Sequence, residues 1–429
     1  MRLRTRWLLE KLRTSLWLVP MGLVLGLLGL AQLLLLLDAA FEVEIRLMAG
    51  AGVAGARGMF QAVAGSMITL AGLVFSMTLV VLSQVSGQYS PRVLRNFLGD
   101  RVNQTVLGVF LGIFAYCLMV LRGLGDDADR LPVLTVVTGL GLSLLGVVFL
   151  VYFIHHVARS MQVENIVAAI QAETRPVIER LFPEDEVDDE GVGDTVPTLP
   201  DDRSGVVGCR RSGYIQDIDL DRLADEALRL DAVLHLPLQV GDFVCEGMTI
   251  VHVDGPRPDA RACERIRRAF ALGGSRTLQQ DPGFGLRQLV DIAMKALSPG
   301  VNDTTTAVLA LDRVGALLRL LCQRRMPARA RAVDGRLRLV VSRPDFEDHL
   351  GLGLDQIRQW GANNPAVLGR MLDIIGDLLS VTRRPARRAL LLEHARRVMA
   401  AAERAIEEDC DLAWLRERFR RLPEAGLSP

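Results

Sequence analysis

The densest gathering of chemistry-bearing side chains in this sequence runs from residue 276 to 306. It holds Arg276, Thr277, Gln280, Asp281, Asp291, Lys295, Ser298, Asn302, Asp303 and Thr304 to Thr306. Arg276, Lys295 and the N-terminus of a helix starting near Thr304 together offer positive charge and free backbone N–H groups, the equipment for holding an anion. The candidate anion or ligand site is therefore Arg276, Asp281, Lys295, Ser298, Asn302, Asp303 and Thr304. Asp303 competes with such an anion, because its carboxylate fits the cap position itself. The alternative is a corner between two helices whose polar groups satisfy one another. ALSPGVNDTTTA (296–307) carries the signals for one: Pro299 and Gly300 stop a helix, and Asp303 or Thr304 caps the next.

Other chemistry finds little support. Lys11 and Lys295 are the only lysines, so a Schiff base or a phosphate-loop lysine would have to be one of them. The sequence contains no G-x-x-x-x-G-K-[ST], H-E-x-x-H or G-x-S-x-G, and no G-x-G-x-x-G after a strand. No catalytic residue, cofactor or metal site is assigned, and no enzyme activity is expected. Among the histidines, His155 and His156 are adjacent at the end of an apolar run, where they read as an interfacial anchor. Adjacent helical residues point about 100° apart, which disfavours a metal pair. His235 and His252 fall on candidate strands that could set them face to face. Cys117, Cys209, Cys245, Cys263, Cys322 and Cys410 form no CxxC pair and read as reduced thiols.

The elements that position these residues follow from composition. The chain has 429 residues, 50% of them hydrophobic, with formal net charge zero, so no basic field argues for a nucleic-acid partner. Apolar residues are denser before residue 156 than after it. A bilayer core needs about 20 mainly apolar residues per helix, and runs at 15–37, 61–83, 105–121 and 131–153 meet that need. The N-terminal tail and the loop after the second run are rich in arginine, whereas the other two loops carry acidic residues. That alternation predicts a multi-pass protein of the bacterial inner membrane with both termini cytoplasmic. Thr69, Ser76 and Ser83 are seven apart on the second run and form a candidate pore-lining stripe, with hydrogen bonding between helices as the alternative. Gly22 and Gly26, and Gly108 and Gly112, have the spacing of close helix packing.

The rest is expected to be a cytoplasmic α+β region. A connecting helix and an acidic, Gly- and Pro-containing linker occupy 157–203. Residues 204–256 alternate as strands around a short helix, and GDFVCEGMTIVHV resembles the barrel-sandwich modules of biotinyl and lipoyl domains, without their attachment lysine. Residues 257–429 read as a mainly helical domain with a two-stranded element around RLRLVVS and late helices at 352–381 and 386–421. The fold class is thus four transmembrane helices, a small barrel-sandwich-like β module and a helical domain.

Three stretches carry a family resemblance: residues 75–122 (FSMTLVVLSQVSGQYSPRVLRNFLGDRVNQTVLGVFLGIFAYCLMVLR), SGYIQDID (212–219) and RTLQQDPGFGLRQLVDIAMKALSPGVNDTTTA (276–307). They resemble the bacterial predicted membrane proteins of the domain of unknown function twenty-two fifty-four. That family often carries proline after the Asn-Asp pair, where this chain has Thr304. The resemblance implies a membrane protein with a cytoplasmic C-terminal region and no particular activity. Two functional expectations follow from the residues. One is a homo-oligomeric channel or transport-like protein regulated by its cytoplasmic domain. The other is a membrane-anchored scaffold or sensor that docks a cytoplasmic protein partner.

Overall fold

The computed structural model describes residues 17–40, 53–88, 101–124, 132–160, 162–184 and 205–422. The basic tail, Arg46, Arg92, Arg95, the aspartates of RGLGDDADR and nearly all of the acidic linker lie outside the described residues. The chain divides into two compact units, Met1–Asn165 and Ile166–Pro429.

The first unit contains α1 (Leu18–Ala40), α2 (Val53–Gln88), α3 (Arg101–Gly123) and α4 (Val133–Ser160). All four are long and apolar enough to cross a membrane. Each overlaps one of the expected runs. Helices α2 and α3 contain theirs and extend beyond them, whereas α1 and α4 begin at Leu18 and Val133, inside runs expected from 15 and 131, and continue past their expected ends. The helix α3 packs against α1, α2 and α4. Its Phe110, Ile113, Tyr116, Cys117 and Val120 are fully buried. Gly108 and Gly112 allow α1 to come close: a Cβ at Gly108 would stand 2.7 Å from Leu23 Cδ1, and one at Gly112 would stand 2.6 Å from Leu27 Cδ1. This small-residue pair therefore packs within the chain. Gly22 and Gly26 have open space at their Cβ positions among the described residues. Near the end of α1, Asp38 caps α4, accepting from the backbone N–H groups of Leu134 (3.0 Å) and Thr135 (2.9 Å). A negative charge suits that helix end.

Helix α2 turns Phe60, Ala64, Met67, Ala71, Val74 and Val81 inward. Thr69, Ser76 and Ser83 are exposed on its other side. The hydroxyl of Thr69 donates to the carbonyl of Gly65 in the same helix at 2.8 Å. Back-bonding of this kind satisfies a hydroxyl without a partner helix.

In the second unit, α5 (Val163–Leu181) begins shortly after α4 ends. Strands β1 (Gly205–Gly208), β2 (Gly213–Ile218), β3 (Val233–Leu236), β4 (Phe243–Val244) and β5 (Thr249–Asp254) follow, with α6 (Leu220–Leu230) between β2 and β3. Then come α7 (Ala260–Arg267), β6 (Phe270–Gly273), α8 (Pro282–Ala296) and α9 (Thr304–Cys322). The hairpin β7 (Ala330–Val333) and β8 (Arg336–Val341) leads to α10 (Phe346–Trp360), α11 (Pro365–Val381), α12 (Pro385–Ala405) and α13 (Asp409–Arg421). The late helices expected at 352–381 and 386–421 are each two. Asn364 caps α11 with Pro365 in its first turn, a combination that starts a helix and ends the one before it.

The strands build a five-stranded sheet, β1-β5-β3-β8-β7, and a three-stranded sheet, β4-β2-β6. This corrects the expectation of a self-contained barrel-sandwich over 204–256, since β6, β7 and β8 come from later in the chain. The decisive pairing is β3 with β8, which run parallel with Leu234, His235 and Leu236 opposite Leu339, Val340 and Val341. Alternation then separates two faces. Leu234, Leu236, Val251, Val253, Leu339 and Val341 join one buried core with Leu223 and Ala227 of α6 and Ile266 of α7. The residues between them form a different row on the opposite face: His252, His235 and Val340, on β5, β3 and β8.

Candidate functional site

That row opens onto a cleft of about 770 Å³. His235 and His252 are register partners across β3 and β5, the facing pair that the strand pattern allows. Three further segments close the cleft. The β3–β4 connection supplies Val240 and Asp242, the N-terminus of α8 supplies Asp281 and Gly283, and the β8–α10 connection with the first turn of α10 supplies Arg343, Asp348 and His349. Arg276 and Arg329 complete the charged lining.

Local rules explain how these groups are held. Asp281 is the N-cap of α8 and accepts from the Phe284 N–H at 3.0 Å. Its other oxygen takes Arg276 Nε at 2.8 Å and Nη2 at 2.7 Å. Burial outweighs these contacts and lifts the Asp281 carboxyl above the ordinary carboxylate value, while Arg276 and the Phe284 N–H pull it down in part. Gly241 lets the backbone reach this pair. Its φ is +97°, and a Cβ there would stand 2.6 Å from Asp281 Oδ2, so both the conformation and the space require glycine. Asp345 and Asp348 form a reciprocal capping box at the start of α10, and Arg329 donates to Asp345 at 3.2 Å. Asp242 accepts from the Gln239 N–H at 2.9 Å. His349 stacks edge-on against Phe182 and its Nδ1 lies 2.6 Å from the Asp345 carbonyl. Arg343 has no carboxylate within ion-pair distance among the described residues. Burial, and then the charge of Arg331, hold its guanidinium below the ordinary arginine value.

The residues selected from sequence fall into two places. Arg276 and Asp281 line the cleft. Lys295, Ser298, Asn302, Asp303 and Thr304 lie at the other end of α8, about 22 Å away along a helix of this length. There they form a solvent-facing helix corner. Asp303 caps α9, accepting from the Thr306 N–H at 3.0 Å and its hydroxyl at 2.6 Å. These two bonds hold its carboxyl below the usual carboxylate value. Asn302 takes a left-handed φ of 48°, Ser298 donates to the Lys295 carbonyl, and Thr304 accepts from Asn364 of α11 at 2.7 Å. Most of the polar excess around the corner is therefore internal bonding. The sequence reading missed Arg343, Arg329, Asp348 and His349, because only the β3–β8 pairing carries them to the cleft. No group of three or more His, Cys, Asp or Glu among the described residues could hold a metal ion.

The cleft has a pH consequence. Burial lowers His349 and, in α12, His394 below the ordinary histidine value. The unfolded chain therefore binds protons more strongly at these positions than the fold does. Stability is full above the unfolded histidine value near 6.5 and falls as pH drops below it, by about 1.4 kcal/mol per pH unit for each histidine. Urea midpoints between pH 7.5 and 5.5 should decline, and less steeply in His349→Gln. An unchanged slope in that variant would show that His349 is not held neutral. Asp281 has the opposite sign, since its raised value favours the fold at lower pH, but it contributes to both proteins equally.

Comparison with known proteins adds a family. Residues 13–377 match the model of the family described as Predicted membrane protein (DUF2254). An uncharacterized protein of Mycobacterium bovis is 33% identical over 439 residues, which cover 99% of this chain and 83% of that protein. An uncharacterized protein of Mycobacterium tuberculosis matches with the same identity and coverage. No solved structure matches the chain. With its four apolar helices and this match over most of its length, the chain belongs to the predicted membrane protein family DUF2254.

Proposed function

We propose that this protein is a membrane-anchored sensor of the bacterial inner membrane, with four spans holding a cytoplasmic domain whose cleft takes a small ligand. The observation that carries this reading is the cleft itself. Its charged groups are positioned by two helix N-termini, and its cationic lining includes an arginine without a carboxylate partner among the described residues. A route for the signal is at hand. Asp281 caps α8, Gly285 of α8 packs directly on Thr174 of α5, and α5 follows the fourth span in sequence. The test is hydrogen exchange on the full-length protein in nanodiscs, with and without a low-molecular-weight filtrate of host cytoplasm. Slower exchange is expected at 235–242 and 340–352, with an accompanying change in α5. Unchanged exchange at the cleft would refute ligand binding, and a protected cleft with an unchanged α5 would refute sensing.

The exposed hydroxyl face of α2 supports a second reading, a homo-oligomeric pore. Thr69, Ser76 and Ser83 are uncovered within the chain and would line a path between subunits. Ion flux in proteoliposomes that Ser76→Leu abolishes would favour it, and absence of flux under any voltage or tension would count against it.

A further inference from the structure

The cleft's charges can be paired off one by one. Asp281 is engaged by Arg276 and the Phe284 N–H. Asp242 holds the Gln239 N–H, and Asp348 holds the Asp345 N–H. Arg329 is turned to Asp345 and to the Arg343 carbonyl. One cationic group remains without an anion among the described residues: the half-buried guanidinium of Arg343, at the mouth of the β8–α10 connection. A partly desolvated guanidinium with five donors gains most from an acceptor with two oxygens, because the planar fork makes two parallel charge-assisted bonds.

We propose that the cleft takes a small organic monoanion, a carboxylate or a phosphodiester carried on an apolar body, with its two oxygens on the Arg343 guanidinium. This rests on the reading of the cleft as a ligand site. The single charge follows from the walls. Asp242, Asp281 and Asp348 face the same space, so a dianionic phosphate or a polyphosphate would meet like charge with only one spare cation to offset it. The apolar body follows from Pro237, Val240, Val340, Pro344 and Leu352, which line the remainder. Clefts of some 300–1,000 Å³ with mostly apolar walls and a few placed polar groups are the usual form of small-molecule sites.

The test uses the full-length protein in nanodiscs and four probes of similar size: benzoate, methyl phenyl phosphate, phenyl phosphate and benzamide. Calorimetric titration at pH 8 should show binding of benzoate or methyl phenyl phosphate, and which of the two binds identifies the anionic group. Arg343→Ala should weaken that binding about thirtyfold, the loss expected for a charge-assisted pair, and Arg343→Lys should fall between because it keeps the charge without the fork. Unaltered melting of both variants without probe shows that they fold. Tighter binding of dianionic phenyl phosphate would overturn the monoanion assignment. Benzamide binding that is equal in the wild type and Arg343→Ala, with no anion binding, would overturn the inference while leaving the cleft a ligand site. Failure of all four probes would overturn the inference too, and the filtrate exchange experiment would then judge the ligand reading separately.

Discussion

Arg387→Ala is expected to destabilise the second unit by about 4 kcal/mol, in the range for breaking a buried charged network. Arg387 lies in the first turn of α12 and is 5% exposed. Its Nη1 donates to the Cys322 carbonyl at 2.6 Å and the Leu321 carbonyl at 3.3 Å, and its Nη2 donates to the Arg324 carbonyl at 2.8 Å. Leu321 and Cys322 end α9, and Arg324 lies two residues beyond. The Leu321 carbonyl also accepts from the Arg324 N–H at 3.1 Å, so Arg387 chiefly serves the Cys322 and Arg324 carbonyls. The guanidinium thus completes the C-terminus of α9, favoured there by the helix dipole. Its flat face also covers the Phe346 ring at 4.9 Å. Truncation removes all of this and takes the guanidinium's donors from the Cys322 and Arg324 carbonyls, each loss costing about 1–3 kcal/mol. Arg387→Lys should lose about half as much, because one ammonium keeps the charge but cannot span residues 321 to 324. Arg396→Ala is the control: its partner Glu393 and its own side chain are both solvent-exposed, so a change within about 0.5 kcal/mol is expected. Equal urea midpoints for Arg387→Ala and Arg396→Ala would refute the capping role.

The contrast between these two arginines marks what was legible in the sequence. Nothing in the letters separates Arg387 from Arg396, because the difference comes from where α9 ends, some 65 residues earlier. Local signals did better. The apolar runs located the four helices long and apolar enough to cross a membrane, and the Pro299-Gly300 stop with the Asp303 cap located the helix corner. The alternation around His235 and His252 marked both as strand residues that could face each other, and they are register partners across β3 and β5. The break within 352–381 was equally local, in Asn364 and Pro365, but the apolar periodicity on both sides concealed it. The cleft itself was only half visible. Arg276 and Asp281 are five apart in sequence and were found with the corner residues, yet α8 carries the two groups to opposite ends. Arg343 and His349 arrive through a parallel strand pair. Parallel pairing needs a long crossover and leaves no hairpin signature to read.

Gly285→Val is expected to cost about 4 kcal/mol, through overpacking at a helix crossing with no space in it. Gly285 lies in the first turns of α8 and is buried. A Cβ there would stand 2.6 Å from Thr174 Cγ2 and 2.8 Å from Thr174 Cβ, with Thr174 Oγ1 closer still. Thr174 cannot easily give way. It is fully buried on α5, and its hydroxyl donates to the Ile170 carbonyl at 2.7 Å. Even Gly285→Ala should destabilise, although alanine gains about 1 kcal/mol over glycine in a helix interior, because the steric term is larger and opposite in sign. Thr174→Ala removes the two nearest obstructing atoms, so Gly285→Ala combined with it should recover at least about 1 kcal/mol relative to the sum of the single changes. Strict additivity in denaturation would show that α5 and α8 do not meet at this point. The same pair bears on function. If the α5–α8 contact carries the signal, Gly285→Ala should leave anion binding at Arg343 within about twofold and reduce the exchange response of α5. A normal α5 response in a variant whose crossing has demonstrably shifted would place the route elsewhere in the unit.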